Sequence, residues 1–258
     1  MPADHTVTSA DFGSSAAKAV AVLEAFRWAS AVLGVTEIAA RTGLSKSTVH
    51  RLLAVLVDGR LVQRNGNRYM LGRALFELSS LVPDCRPRSL REAAIPAMSE
   101  LFATTRATVS LAVLEDGEVL FMEKLFGTTS MPTPIRPGIR LPALCTSVGK
   151  AMVAFSAPDV IAEHLSRPLT PLTPRSVVDT GQLRAHLRVV RETGIAHDRE
   201  ESQLGARSVA VPIVRLGVPV GALSVTVRAT ESVKPQVMEG LHRAAEHITG
   251  GLRAAWAS

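Results

Sequence analysis

Two cysteines, Cys85 and Cys145, occur in 258 residues. Neither belongs to a CxxC or Cys/His cluster, which argues against a disulfide framework and a structural zinc and makes a reducing cytoplasm the expected setting. The histidines (His5, His50, His164, His186, His197, His242 and His247) show no HxxxH or HExxH spacing, so neither metal nor cofactor is expected. Aromatic residues make up 4% of the chain, which gives no indication of stacking around a ligand. The most apolar stretch, 208–227, is interrupted by Pro212, Arg215, Gly217, Pro219 and Gly221; it reads as two strands around a turn, and no membrane association is expected. Residues 1–14 carry Asp4 and Asp11 and no hydrophobic core, so they read as a disordered tail and not as a signal peptide.

Catalytic motifs are absent as well. Val148-Gly149-Lys150-Ala151 lacks both the leading glycine, replaced by Leu144, and the hydroxyl residue after the lysine that a phosphate-binding loop requires. Ser224, His197 and Asp198 are hydrolase residue types, yet there is no GxSxG elbow, and adjacent residues of one strand face opposite sides. The chain is read as a non-enzyme, with a hydrolase as a weak alternative.

What is present is a globular composition, 47% apolar and 20% charged, long enough for two domains, with a net charge of +6. The charge is concentrated. Between Thr36 and Arg73 stand Arg41, Lys46, Arg51, Arg60, Arg64, Arg68 and Arg73 against Glu37 and Asp58, so seven positive and two negative residues place +5 of the surplus in one segment. Upstream, Ser15 is the expected cap of a helix from Ala16 to about Trp28 with an apolar stripe of Val20, Leu23 and Phe26. Thr36 is the expected N-cap of a short helix that Gly43 stops. Ser45 caps a second helix, Lys46 to Asp58, whose Val49, Leu52, Leu53 and Leu56 form one buried stripe. Off that stripe, Lys46, Ser47, Thr48, His50 and Arg51 make a donor-rich face without carboxylates. Two strands around Asn65-Gly66-Asn67 then form a hairpin with Arg64 and Arg68 near its tip. Helix, tight turn, capped helix and basic hairpin together predict a winged helix-turn-helix that places the start of its second helix in the major groove of double-stranded DNA and its wing on phosphate or minor groove. The bland alternative is a helical hairpin with a solvated basic face. The predicted DNA contacts are Thr36, Ser45, Lys46, Ser47, Thr48, His50, Arg51, Arg64 and Arg68.

The segment from Val35 to Leu53, with the wing ending R-Y-M-L-G, resembles the IclR family of transcriptional regulators. So do L-P-A-L-C-T-S-V-G-K-A (141–151), D-R-E-E-S-Q-L-G-A-R-S-V-A-V-P-I (198–213) and G-A-L-S-V-T-V (221–227). The resemblance implies an α+β chain: an N-terminal winged helix-turn-helix, a linker helix and a C-terminal GAF-like α/β effector domain working as a homodimer or homotetramer. The residues agree. Leu71, Leu75, Leu78 and Leu81 recur at helical spacing, Pro83 to Pro87 reads as a linker, and later segments alternate helix and strand around a mostly antiparallel sheet. The expected boundaries are 1–14 tail, 15–71 DNA-binding domain, 72–89 linker helix and linker, and 90–258 effector-binding and oligomerisation domain. An apolar linking helix exposed between two domains calls for a partner, which gives dimerisation a physical motive.

A metabolite sensor needs an apolar cavity with a few converging polar groups. The resemblance implies effector contacts at Leu141, Ser147, Val148, Asp198, Ser208, Ser224 and Thr226, with Ser208 where the family commonly has Cys. Ser224 and Thr226 lie two apart on one strand and so share a face, where paired hydroxyls suit a carboxylate or carbonyl. Alternatively, Ser224 and Thr226 are the polar face of an exposed strand and Asp198 is a cap or turn residue. The reading is therefore a sequence-specific DNA-binding transcriptional regulator of a palindromic operator, modulated by a small effector of which a carboxylate is one candidate class. The rival is a constitutive DNA-binding protein with a C-terminal dimerisation module.

Overall fold

The short helices of the N-terminal region are set by their caps. In the computed structural model, which describes residues 14–27, 32–82, 89–127, 133 and 135–255, helix α1 (Ser15–Glu24) is opened by Ser14, whose Oγ accepts the Ala17 N–H at 3.1 Å. The cap falls one residue before the expected Ser15. The buried face is Ala21 and Val22, continued by Ala25 and Phe26 in the turn that follows, while Val20 is 58% exposed. Of the expected stripe, Phe26 is buried and Leu23 packs half-buried on the same core, whereas Val20 turns outward and Val22 takes its place. Trp28 lies outside the described residues.

Helix α2 (Val35–Thr42) starts at Gly34 and not at Thr36, because Glu37 turns back to accept the Gly34 N–H at 2.7 Å. After Gly43, Ser45 caps α3 (Lys46–Asp58) through the Thr48 N–H at 3.2 Å. Val49, Leu52, Leu53 and Leu56 are buried against Val22, Phe26, Leu33, Ile38, Val62 and Tyr69. Burying each such side chain contributes about 1.5–3 kcal/mol. Strands β1 (Val62–Asn65) and β2 (Arg68–Leu71) form the antiparallel wing, and Leu33 bridges to Tyr69 on its other edge. Leu71 ends β2, paired with Val62, at the close of the expected wing; its helical spacing with Leu75 and Leu78 does not carry the helix back to it, and α4 is Ala74–Ser79.

The chain divides into two compact units, Met1–Cys85 and Arg86–Ser258. In the second, α5 (Leu90–Thr105) is followed by the hairpin β3 (Thr108–Glu115) and β4 (Glu118–Leu125), then β5 (Arg140–Pro142), a 3₁₀ turn at Ala143–Cys145, and α6 (Ser147–Phe155). Helices α7 (Pro158–Ser166) and α8 (Thr180–Thr193), strands β6 (Ala196–Arg199), β7 (Ala206–Arg215) and β8 (Val218–Arg228), and helix α9 (Pro235–Ala255) complete it. The six strands run in the order β5-β4-β3-β8-β7-β6, each antiparallel to its neighbours. Helices α5 and α9 cover one face through Met98, Leu101, Leu241 and Ile248, packed on Val109, Leu111, Val211 and Leu223. Helices α6, α7 and α8 cover the other through Met152, Val153, Leu165, Leu183 and Leu187, with Ala112, Val119 and Phe121 beneath. Gly149 lets the first turn of α6 lie on the 3₁₀ turn: a Cβ there would sit 2.1 Å from the Ala143 carbonyl oxygen.

Candidate functional site

The exposed end of α3 carries the cationic face. Ser45, Lys46, Ser47, His50 and Arg51 are exposed and Thr48 is half-buried. The Ser45 hydroxyl also lies 3.0 Å from that of Ser47 and 2.9 Å from that of Thr48, so the cap is a small hydroxyl cluster. Among the described residues, no hydrogen bond or ion pair occupies the side chains of Lys46, His50 or Arg51, which leaves their donors to solvent or a partner. Thr36 is exposed in the first turn of α2. On the wing, Arg64 Nε donates to the Gly66 carbonyl at 2.9 Å. Arg68 leans back, donating to Glu37 Oε2 at 2.8 Å and to the Val32 carbonyl at 2.9 Å. Both partners of the Arg68–Glu37 pair are half exposed, so it is worth about 1 kcal/mol or less and exchanges easily for a phosphate.

In the second unit the polar residues are inside. Cross-strand register builds them into two parallel rows on the face of the sheet toward α6. One row runs Thr108–Thr226–Ser208–Asp198 over β3, β8, β7 and β6; the next runs Lys124–Ser110–Ser224–Ala210 over β4, β3, β8 and β7. Partners opposite one another in a ladder point to the same side, and rows two residues apart share a face. All of these row residues except Ala210, with Thr146, Ser147 and Val148 at the start of α6, Phe121, Ile135, Ser202 and Gln203, line a cavity open to solvent, the empty space of cavity and mouth together being about 580 Å³. Six of the seven expected effector residues meet there: Ser147, Val148, Asp198, Ser208, Ser224 and Thr226. Leu141 does not. It sits on β5 in the apolar cluster with Val119 and Phe121, outside the cavity lining.

The hydroxyls of Ser147 and Ser208 meet at 2.7 Å, joining α6 to β7. The Ser147 and Val148 N–H groups are the first of α6 and have no acceptor within the helix, so the helix presents its positive end to the cavity. Ser224 and Ser110 are each 3% exposed, and no hydrogen bond occupies their hydroxyls among the described residues. The exposed-strand reading thus fails for Ser224; Thr226 is half-buried. Asp198 lines the cavity and is also a turn residue. It accepts the Glu201 N–H at 2.7 Å, the Ser202 N–H at 3.3 Å and the Ser202 hydroxyl. Burial pushes its carboxyl above the ordinary range, against the opposing pull of the Ser202 hydroxyl and Lys150. Beneath the cavity, Lys150 Nζ pairs with Glu201 Oε1 at 2.6 Å, with side chains 2% and 7% exposed. His197 is exposed while its neighbour Asp198 is buried, so the two diverge from the strand and form no relay with Ser224.

Lys124 was not anticipated, for a definite reason. Strict alternation from Val119 and Phe121 would bury position 123 and expose 124. A β-bulge at Met122, opposite the Leu111/Ala112 step, resets the parity and turns Lys124 inward to 6% exposure. Its Nζ donates to the Ile135 carbonyl at 2.7 Å and lies 5.1 Å from the Phe126 ring centroid. Burial lowers its pKa to about 8.

A winged helix-turn-helix with an unencumbered cationic helix, joined to an antiparallel α/β unit holding a polar cavity, defines a DNA-binding regulator with an effector domain. The chain belongs to the IclR family of transcriptional regulators. The family's "IclR helix-turn-helix domain" matches residues 15–66 and its "Bacterial transcriptional regulator IclR C-terminal" domain matches residues 86–250. It is similar to the HTH-type transcriptional regulator KdgR of Dickeya chrysanthemi, at 32% identity over 224 residues, 84% of this chain and 73% of that one. The crystal structure of an IclR homolog from Microbacterium hydrocarbonoxydans, complexed with 4-hydroxybenzoate, superposes with a TM-score of 0.82 at 32% identity and covers 93% of this chain and 100% of its own. The IclR of Thermotoga maritima gives 0.75 at 28% identity, over 91% and 97%. Among the described residues, no helix is long and apolar enough to cross a membrane.

Proposed function

We propose that the chain binds a two-fold symmetric operator as a homo-oligomer, through Ser45 to Arg51 of α3 in the major groove with Thr36, Arg64 and Arg68 on the backbone, and that a small organic anion in the cavity changes this binding. The observation that carries the reading is the pair of buried polar rows. The hydroxyls of Ser110 and Ser224 open onto the cavity with no partner among the described residues, which leaves them for a ligand to complete. The domain division at 15–71, 72–89 and 90–258 follows from the same reading. Phe76, Leu78 and Leu81, at 77%, 57% and 62% exposure in and just after α4, supply an apolar surface for a second copy. The bound effector favours one spacing of the paired recognition helices, which fit half-sites about 34 Å apart or a multiple of that. The 4-hydroxybenzoate held by the Microbacterium hydrocarbonoxydans homolog supports a carboxylate as the class.

Fluorescence anisotropy tests this, with a fragment of the chain's own promoter against scrambled duplex and with 4-hydroxybenzoate and other small acids added or omitted. Preference for the native fragment, with an affinity that an acid shifts in the wild type but not in Ser224→Ala, is the expected result. Equal binding to both duplexes overturns the operator reading. A native preference that no acid alters, with no acid raising the melting temperature, leaves the constitutive DNA-binding protein instead.

A further inference from the structure

We propose that Lys124 is the counter-ion of the effector: its ammonium, turned into the cavity by the bulge at Met122, fixes the ligand's carboxylate at the β4 end of the polar row and selects acids over their neutral isosteres. The proposal rests on the reading of the cavity as the effector site and names the charge that site recognises.

Among the described residues, no carboxylate pairs with Lys124. Its Nζ is satisfied only in part, by one carbonyl, Ile135, and the face of one ring, Phe126. Three N–H donors on an ammonium leave at least one aimed elsewhere. The preceding residue, Glu123, lies on the opposite side of the strand and pairs with Arg91 at 2.6 Å. The sequence from Phe126 to Ile135 contains no carboxylate. Among the described lining residues, Asp198 is the one acid; it belongs to the other row, on the far strand β6, and already accepts from Glu201 and Ser202. Among the described residues, then, the cavity's cation has no counter-charge, and it stands beside two hydroxyls without a hydrogen-bond partner, Ser110 on the adjacent strand and Ser224 on the next. Neighbouring strands are about 4.8 Å apart, so a carboxylate on Lys124 would place a ligand body over Ser110 and its far hydrogen-bonding group near Ser224, about 10 Å away across two strands. The positive end of α6 adds to the same anionic preference.

A buried charge without a counter-charge destabilises the unliganded fold, which gives the proposal a readout that needs no ligand. Lys124→Met replaces the ammonium with an apolar chain of similar reach. If Lys124 serves an effector, the unliganded variant melts higher than wild type; if its bond to Ile135 is its whole purpose, the variant melts lower, and the proposal falls. The ligand arm uses matched pairs, acetate and acetamide, pyruvate and pyruvamide, benzoate and benzamide, followed by thermal shift and calorimetry. The expected result is that at least one acid binds the wild type, that its amide binds roughly tenfold to a hundredfold more weakly, and that Lys124→Met erases the difference. An amide that binds as well as its acid, with Lys124→Met unchanged and Ser224→Ala impaired, overturns the counter-ion while leaving the cavity as the effector site. Silence from every acid and amide overturns both.

Discussion

On α3 the side chains of Lys46, His50 and Arg51 stand in solvent, whereas on β3 and β8 the hydroxyls of Ser110 and Ser224 are 3% exposed. Neither set has a hydrogen-bond or ion-pair partner among the described residues, but the two sets differ physically. The surface cations lose little by waiting, since water solvates them. The hydroxyls and the Lys124 ammonium face a confined cavity, where a group left unmet costs more than it does on an open surface. Unpaired polarity on a surface therefore says little by itself and needs its pattern of charge and scaffold to be read, whereas unpaired polarity in an interior is informative at a single residue.

The largest test of this contrast is at the buried ion pair of Lys150 and Glu201. Lys150→Met would leave the Glu201 carboxylate buried without its ammonium, and should cost the C-terminal unit about 3–5 kcal/mol in urea unfolding without moving the transition of the winged unit. An unchanged stability would mean that interior charge here is tolerated without pairing, and would weaken the reading of Lys124 as well. Next comes the surface. Arg51→Ala should lower operator affinity about tenfold and reduce the steepness of its dependence on salt by about one phosphate's worth, measured by anisotropy at several salt concentrations. A slope that does not change would show that the exposed face of α3 is not where phosphate is held. The smallest effect is on pH. Lys124 is ammonium below about pH 8 and neutral above it, so calorimetric affinity for an acid that binds at pH 7 should fall several-fold by pH 9. The groups facing Lys124 are the Ile135 carbonyl, the Phe126 ring and the Ser110 hydroxyl, none of which titrates in that range. Asp198, the other titratable group of the cavity, is pushed up by burial from the acid side. Affinity flat from pH 7 to 9 would place the ligand's charge away from Lys124.

The winged unit was largely readable because its signals are local. A cap, a glycine stop and a four-residue stripe sit within thirty residues of one another, and Ser45 with Val49, Leu52, Leu53 and Leu56 could be placed from spacing alone. Its errors were also local: Thr36 lost the cap to Gly34 because the Glu37 carboxylate reaches back, and Ser15 lost its cap to the residue before it. The cavity could not be assembled this way. Ser147, Asp198, Ser208, Ser224 and Thr226 were found through their likeness to a family, and nothing in their spacing shows that Ser224 faces Ser110 or that Asp198 faces Ser208. Only ladder register does that. Lys124 escaped both routes, since one extra residue in β4 inverts a parity that alternation takes as constant.

The bank of short hydroxyl side chains on β3, β7 and β8 has one more consequence. Serine, alanine, threonine and valine differ by an atom or two, so exchanging them along these strands repaints the chamber wall while the scaffold behind it stands unaltered. Such swaps change which groups a molecule in the cavity would meet, and they fall in a compact unit separate from the one that carries the winged helix.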